Sequence, residues 1–211
     1  MIQSYLQSSG SLYPLLQFEV QIYAGAACSV VAVPYISKLA NRVCDIFEFI
    51  VPNATELTNE RINYNKTVMA NIYRTVVRDP FYEEIAFRLF LEAIVAEGAS
   101  ALGIPLPYLT SALVSSITFG AAHYSNGYDK LALHQASYAT FVGMGFSLLK
   151  YAFLIPEKIT DHTTIGIVDA LMKHMVGMPA AIAAHMTTNA IAFSRLMNEK
   201  QKTHKEPVII L

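Results

Sequence analysis

Apolar residues gather in five stretches separated by polar segments, at about 20–37, 83–102, 106–123, 134–155 and 175–196. Each is close to the roughly 20 residues a helix needs to cross a hydrocarbon core. The first is uncharged and contains Gly25 and Pro34. The second carries Arg88, Glu92 and Glu97, and fails a strict hydropathy test. The fourth is broken only by Lys150. Mixed stretches of this kind suit helices that face one another rather than lipid alone. The pattern predicts an all-α fold, a multi-pass transmembrane helix bundle of about five spans plus interfacial helices.

Between the first two stretches, apolar positions in 42–51 and 68–77 recur at helical spacing. They predict two interfacial amphipathic helices flanking the polar segment 53–65. Pro80 suits the first turn of the next helix, with Asp79 as its N-cap. The organisation expected is a lead-in over 1–80, a helical core over 81–197 and a polar tail over 198–211.

Composition supports a membrane setting. Hydrophobic residues make up 54% of the chain and charged residues only 15%, with a mean hydropathy of +0.37, where soluble domains carry about 25% charged residues. A net charge of −1 and the lack of basic stripes exclude nucleic acid as a partner. With the N-terminus outside, the cytoplasmic side collects eleven Lys and Arg residues against two, in accord with the positive-inside rule. The sequons at Asn53 and Asn65 then fall on the cytoplasmic side and are discounted. Cys28 and Cys44 show no metal or disulfide spacing.

Three polar motifs interrupt the apolar stretches: Glu83-Glu84-x-x-x-Arg88, Phe119-x-x-x-His123 and His185-x-x-x-Asn189. Ionisable groups inside apolar helices are expensive and mark function first. Each motif is spaced i,i+4, so it presents its polar groups on one helix face. Glu83 and Glu84 point about 100° apart on a helix. One lines a pocket while the other binds a neighbouring helix or Arg88. A buried carboxylate can act as general acid or base for water. His185 and Asn189, among alanines, can bind a metal or donate hydrogen bonds to an oxyanion. His134, His162, His174 and His204 lack such spacing; His174 is expected at the membrane surface.

The order of the three motifs resembles the CAAX protease and bacteriocin-processing (CPBP) family of intramembrane proteases, to which the eukaryotic CAAX prenyl endopeptidase belongs. Phe87-Arg88, Met178-Pro179, Gly143 and Gly145 are similar to that family's local context, and the resemblance covers about residues 80–196. Leu89 replaces the usual small residue after the motif arginine, and the segment 156–176 is longer than usual.

The resemblance implies an intramembrane endopeptidase acting on a membrane-associated or prenylated protein or peptide. It implies Glu83 as general base, with His123 helping to polarise water, and His185 and Asn189 as oxyanion donors. Glu84, Arg88 and Phe119 would be supporting residues. No obligatory cofactor is expected; a zinc ion, if bound, would take Glu83, His123 and His185. Lipid and a peptide or protein substrate are the expected partners, and a bacterial plasma membrane the expected location. The alternative is a non-catalytic scaffold or bacteriocin-immunity relative with the same fold.

Overall fold

The computed structural model describes residues 12–47, 71–124, 130–153, 171 and 174–203. All described elements are helical and no strand occurs among them. The expected features at 53–65, and nearly all of 156–176, lie outside the described residues.

Helix α1, Leu12–Phe47, runs for 36 residues with Pro34 inside it. The first apolar stretch and the start of the expected interfacial helix at 42–51 are therefore one element. Nothing after Ser37 in that run breaks a helix, since Gly and Pro are absent from 38–47. Helix α2 runs through 72–101 as four joined segments: a π turn Arg74–Arg78, an α segment Asp79–Glu83, a π segment Glu84–Leu91 and an α segment Glu92–Ala101. Asp79 is thus no N-cap: it has helical angles, and its carboxylate turns back to Arg74 (3.2 Å) and Arg78 (2.9 Å). The expected second interfacial helix continues into α2, because the π turn lets the helix pass through Pro80.

A Schellman motif ends α2. Gly103 has φ +67° and donates to Ser100 O, while Ile104 donates to Ala99 O. Helix α3, Pro107–Tyr124, then returns along α2. Helix α4, Lys130–Ala152, pairs with α3, and helix α5, Met178–Thr203, pairs with α1 while also touching α2 and α4. Pro179 sits in the first turn of α5. The helix continues to Thr203, so residues 198–203 of the expected polar tail are helical.

Small residues set the spacing. A Cβ on Gly25 would lie 2.2 Å from the Ala180 carbonyl oxygen across the α1–α5 contact, and one on Gly120 would lie 2.7 Å from that of Ala136 across α3–α4. Ser29 Oγ donates to the Ala184 carbonyl at 2.8 Å, closing the α1–α5 seam. Val142, Phe146, Ala181 and Ala184 form an apolar cluster under Ile36, Tyr138 and Leu149.

Large apolar side chains elsewhere face outward, among them Phe90, Ile94, Leu113, Ile117 and Leu148. The largest fully buried side chains are instead Arg88, Lys150, His174, Glu84 and Glu92. One described helix segment, Gln17–Val43 within α1, is long and apolar enough by itself to cross a membrane. The other four helices carry charges or hydroxyls turned toward one another, which lowers their own hydropathy. The all-α expectation holds, and of the five expected spans one is apolar enough by itself among the described residues.

The close seam predicts that Gly25→Val destabilises the protein by about 1–3 kcal/mol through overpacking against α5 backbone. Gly145→Ala meets nothing within 4 Å and should be nearly neutral. Thermal unfolding in detergent of both variants checks this, and equal losses would contradict the seam.

Candidate active site

The two π segments of α2 shape the site. In the first, the Asp79 N–H reaches back five residues to Arg74 O. The next residue in that register is Pro80, which has no N–H. The Thr75 carbonyl, opposite Pro80 in that register, accepts Asn189 Nδ2 from α5 at 3.0 Å. In the second, the Glu92 N–H bonds the carbonyls of Phe87 and Leu89, bypassing that of Arg88. The Arg88 carbonyl accepts Lys150 Nζ from α4 at 2.7 Å, and the Phe87 carbonyl accepts Ser115 Oγ from α3 at 2.8 Å. Widened turns thus give α2 main-chain acceptors that three neighbouring helices use. Such turns recur at functional sites.

His185 on α5 is held from both sides by the paired acids of α2. Its Nδ1 lies 2.8 Å from Glu84 Oε1, and its Nε2 lies 3.4 Å from Glu83 Oε2. The adjacent carboxylates therefore diverge in environment. Glu84 is fully buried and committed, whereas the Glu83 side chain is 34% exposed and opens onto the site. A carboxylate at Nδ1 accepts that N–H and leaves Nε2 as the working edge.

Aromatic rings complete the enclosure. Phe119 meets the His123 ring edge-to-face at 4.6 Å and the His185 ring at 5.6 Å. The Arg88 guanidinium lies 4.9 Å from the Phe119 ring centroid. Phe146 covers the other side of His185 at 5.0 Å. His123 Nδ1 donates to the Phe119 carbonyl at 2.9 Å, which leaves its Nε2 as a lone-pair acceptor.

Behind this shell lies a chain of buried charges. Arg88 Nε is 3.8 Å from a carboxylate oxygen of Glu84 and equally far from one of Glu92, one turn to either side. Arg88 also donates to Ser115 Oγ at 3.1 Å. Glu92 hydrogen-bonds Ser147 Oγ and pairs with Lys150 Nζ. Gly143 makes room for the guanidinium, since a Cβ there would stand 2.5 Å from an Arg88 terminal nitrogen.

All seven motif residues named from the sequence thus fall in one region. Glu83, Glu84, Arg88, His185, Phe119 and His123 form the contacting group, and Asn189 reaches Thr75 at its edge. Glu92, Lys150, Ser115 and Ser147 escaped the sequence reading. A signal for the first was present, because Glu84, Arg88 and Glu92 continue the same i,i+4 spacing. His174, expected at the membrane surface, is instead 1% exposed, packed by Lys150, Tyr108 and Tyr151. Among the described residues no three His, Cys, Asp or Glu side chains form a metal-ligand set, the trio Glu83, His123 and His185 included.

Residues 65–191 match the family model described as type II CAAX prenyl endopeptidase Rce1-like. No curated protein and no solved structure matches the chain.

Arg88 is the shared cation of two buried acids. Arg88→Leu should cost about 3–5 kcal/mol, the usual penalty for removing one partner of a buried pair. Ser115→Ala should cost only about 1 kcal/mol. Chemical denaturation of the two variants in mild detergent measures both, and an Arg88→Leu protein as stable as wild type would contradict the charge chain.

Proposed function

The chain belongs to the type II CAAX prenyl endopeptidase Rce1-like family, and on that premise we propose that it is an intramembrane endopeptidase. It hydrolyses a peptide bond of a membrane-associated or prenylated protein. The observation that carries this reading is the clamp on His185, in which one acid is buried and committed while its neighbour is open to the site. The outward-facing apolar side chains support a lipid setting.

The arrangement supports the following course of reaction. A water between Glu83 and His123 Nε2 donates one hydrogen to each. Its oxygen attacks the scissile carbonyl carbon as Glu83 takes a proton. In this scheme His185 is doubly protonated between the two carboxylates, so neutralising Glu83 frees its Nε2–H for the developing oxyanion while Nδ1–H stays on Glu84. Asn189 contributes as well: a primary amide has two N–H groups, and Thr75 uses one. When the tetrahedral intermediate collapses, the C–N bond breaks and Glu83 returns its proton to the leaving amine. Glu84, anchored by Arg88, keeps the His185 ring oriented throughout.

The test is cleavage of a farnesylated peptide with a C-a-a-X end by the purified full-length chain in detergent. Glu83→Gln and His123→Ala should each lower kcat by about 10²–10⁴-fold, as loss of a general base does. A folded wild type that leaves such peptides intact, or a fully active Glu83→Gln protein, would end the protease reading.

A second test addresses Asn189. Pro80→Ala supplies a backbone N–H that competes with Asn189 for the Thr75 carbonyl. Misplacing one oxyanion donor should lower kcat by roughly 10-fold or more with little change in unfolding temperature. Unchanged kcat would show that Thr75 does not position Asn189.

A further inference from the structure

Lys150 is buried to 0% exposure, and its ammonium group is fully occupied. An ammonium has three N–H donors. Here they meet the Glu92 carboxylate, the Arg88 carbonyl at 2.7 Å and His174 Nδ1 at 3.0 Å. The Tyr151 ring lies 4.5 Å from Nζ. With no hydrogen left over, Lys150 has nothing to offer a substrate, so its use lies in what it holds.

Its position in the charge chain indicates what that is. Arg88 stands midway between Glu84 and Glu92, within direct hydrogen-bond reach of neither through Nε. A single buried cation shared by two carboxylates is contested. Lys150 satisfies Glu92 from the other side, which leaves the Arg88 charge for Glu84. Glu84 in turn holds His185 Nδ1. Gly143 gives the guanidinium space on one side and Ser115 fixes one of its nitrogens. Arg88 is therefore held by several weak contacts, and its place is decided by the balance of the two acids.

We propose that Lys150 and Glu92, with His174 and Ser147 as their hydrogen-bonding partners, are positioning residues that set the His185 ring through Arg88 and Glu84. Removal of Lys150 alone leaves Glu92 uncompensated, and Arg88 moves toward it. Glu84 then loses its anchor, and the Nδ1–H contact with His185 is lost. Removal of the competing charge as well, by replacing both Lys150 and Glu92 with neutral isosteres, lets Arg88 return to Glu84. The inference rests on the proposed peptidase function only where cleavage is the readout.

The experiment compares wild type, Lys150→Gln and the double variant Glu92→Gln/Lys150→Gln as full-length proteins in detergent, labelled with 15N-histidine. The His185 signal is assigned by its loss in His185→Asn. Wild type should show a hydrogen-bonded Nδ1–H for His185. Lys150→Gln should lose that signature, and the double variant should regain it.

Cleavage of the farnesylated peptide should follow the same order. Lys150→Gln should lower kcat on the order of tenfold to 100-fold with KM little changed, and the double variant should recover most of that loss. A merely structural ion pair would change stability in the same order but leave the His185 signal and the kcat of the folded protein unchanged. An unchanged His185 signal in Lys150→Gln, or no recovery in the double variant, overturns the proposal. If Lys150→Gln fails to fold, the double variant decides alone: it must fold with the wild-type His185 signal, and failure to do so overturns the proposal. A wild type with the expected spectrum and no cleavage would instead refute the peptidase reading and leave the positioning result standing.

Discussion

Four buried charges in a row, Glu84, Arg88, Glu92 and Lys150, hold this structure around one centre. All four side chains have 0% exposure. Each ion taken from water into a low-dielectric interior costs several kcal/mol after relaxation. The row is tolerable because the signs alternate and sum to zero, and because hydroxyls and main-chain carbonyls supply further partners at Ser115, Ser147 and Arg88 O. It also fixes where helices go. Three of the charges lie on one face of α2 at successive turns, and the fourth comes from α4. Ser115 attaches α3 to the row and His185 attaches α5. Four helices are thereby bound to one line of side chains, in an interior whose buried apolar residues are mostly alanines.

The π segments show how α2 serves so many neighbours. A regular α-helix consumes the carbonyl of each interior residue in its own ladder. Widening the turn at Arg74–Arg78 and Glu84–Leu91 shifts that ladder, and the carbonyls of Thr75, Phe87 and Arg88 become acceptors for Asn189, Ser115 and Lys150, that of Phe87 while still accepting the Glu92 N–H. Pro80 contributes by what it lacks. Its missing N–H falls at the point where the Thr75 carbonyl would otherwise be taken. A proline that reads as helix punctuation thus acts here as a means of presenting an oxygen to another helix.

The i,i+4 pairs were legible in the sequence because polar residues at that spacing are too costly inside apolar surroundings to serve packing alone. Glu84 with Arg88, Phe119 with His123, and His185 with Asn189 were legible in this way, as was the divergence of Glu83 from Glu84. The helical class was legible from the length and composition of the apolar stretches. Long-range partners were not. Glu92 and Lys150 lie 58 residues apart, and a lone lysine in an apolar run carries no mark of the acid it will meet. The π register also left no trace, since it depends on which donors other helices bring. For the same reason the fresh helix start expected at Asp79 and the break after Ser37 did not occur. Turn residues suggest where a helix can end, whereas packing along α1 and α2 decides whether it does.

The division between Glu83 and Glu84 gathers these effects. Two identical side chains, adjacent in sequence, differ by about 100° of helix rotation. That rotation carries one into the row of compensated charges, where it is fixed by Arg88 and His185. It leaves the other a third exposed, facing the opposite nitrogen of the same imidazole. In the proposed mechanism Glu83 exchanges protons, and such an acid cannot also be the partner of a buried cation, because its ionised form would then be too well stabilised to accept one. An acid that must orient a histidine needs that partner to stay ionised. The helix separates these incompatible demands by placing them on consecutive residues, and the charge row behind Glu84 keeps the separation intact.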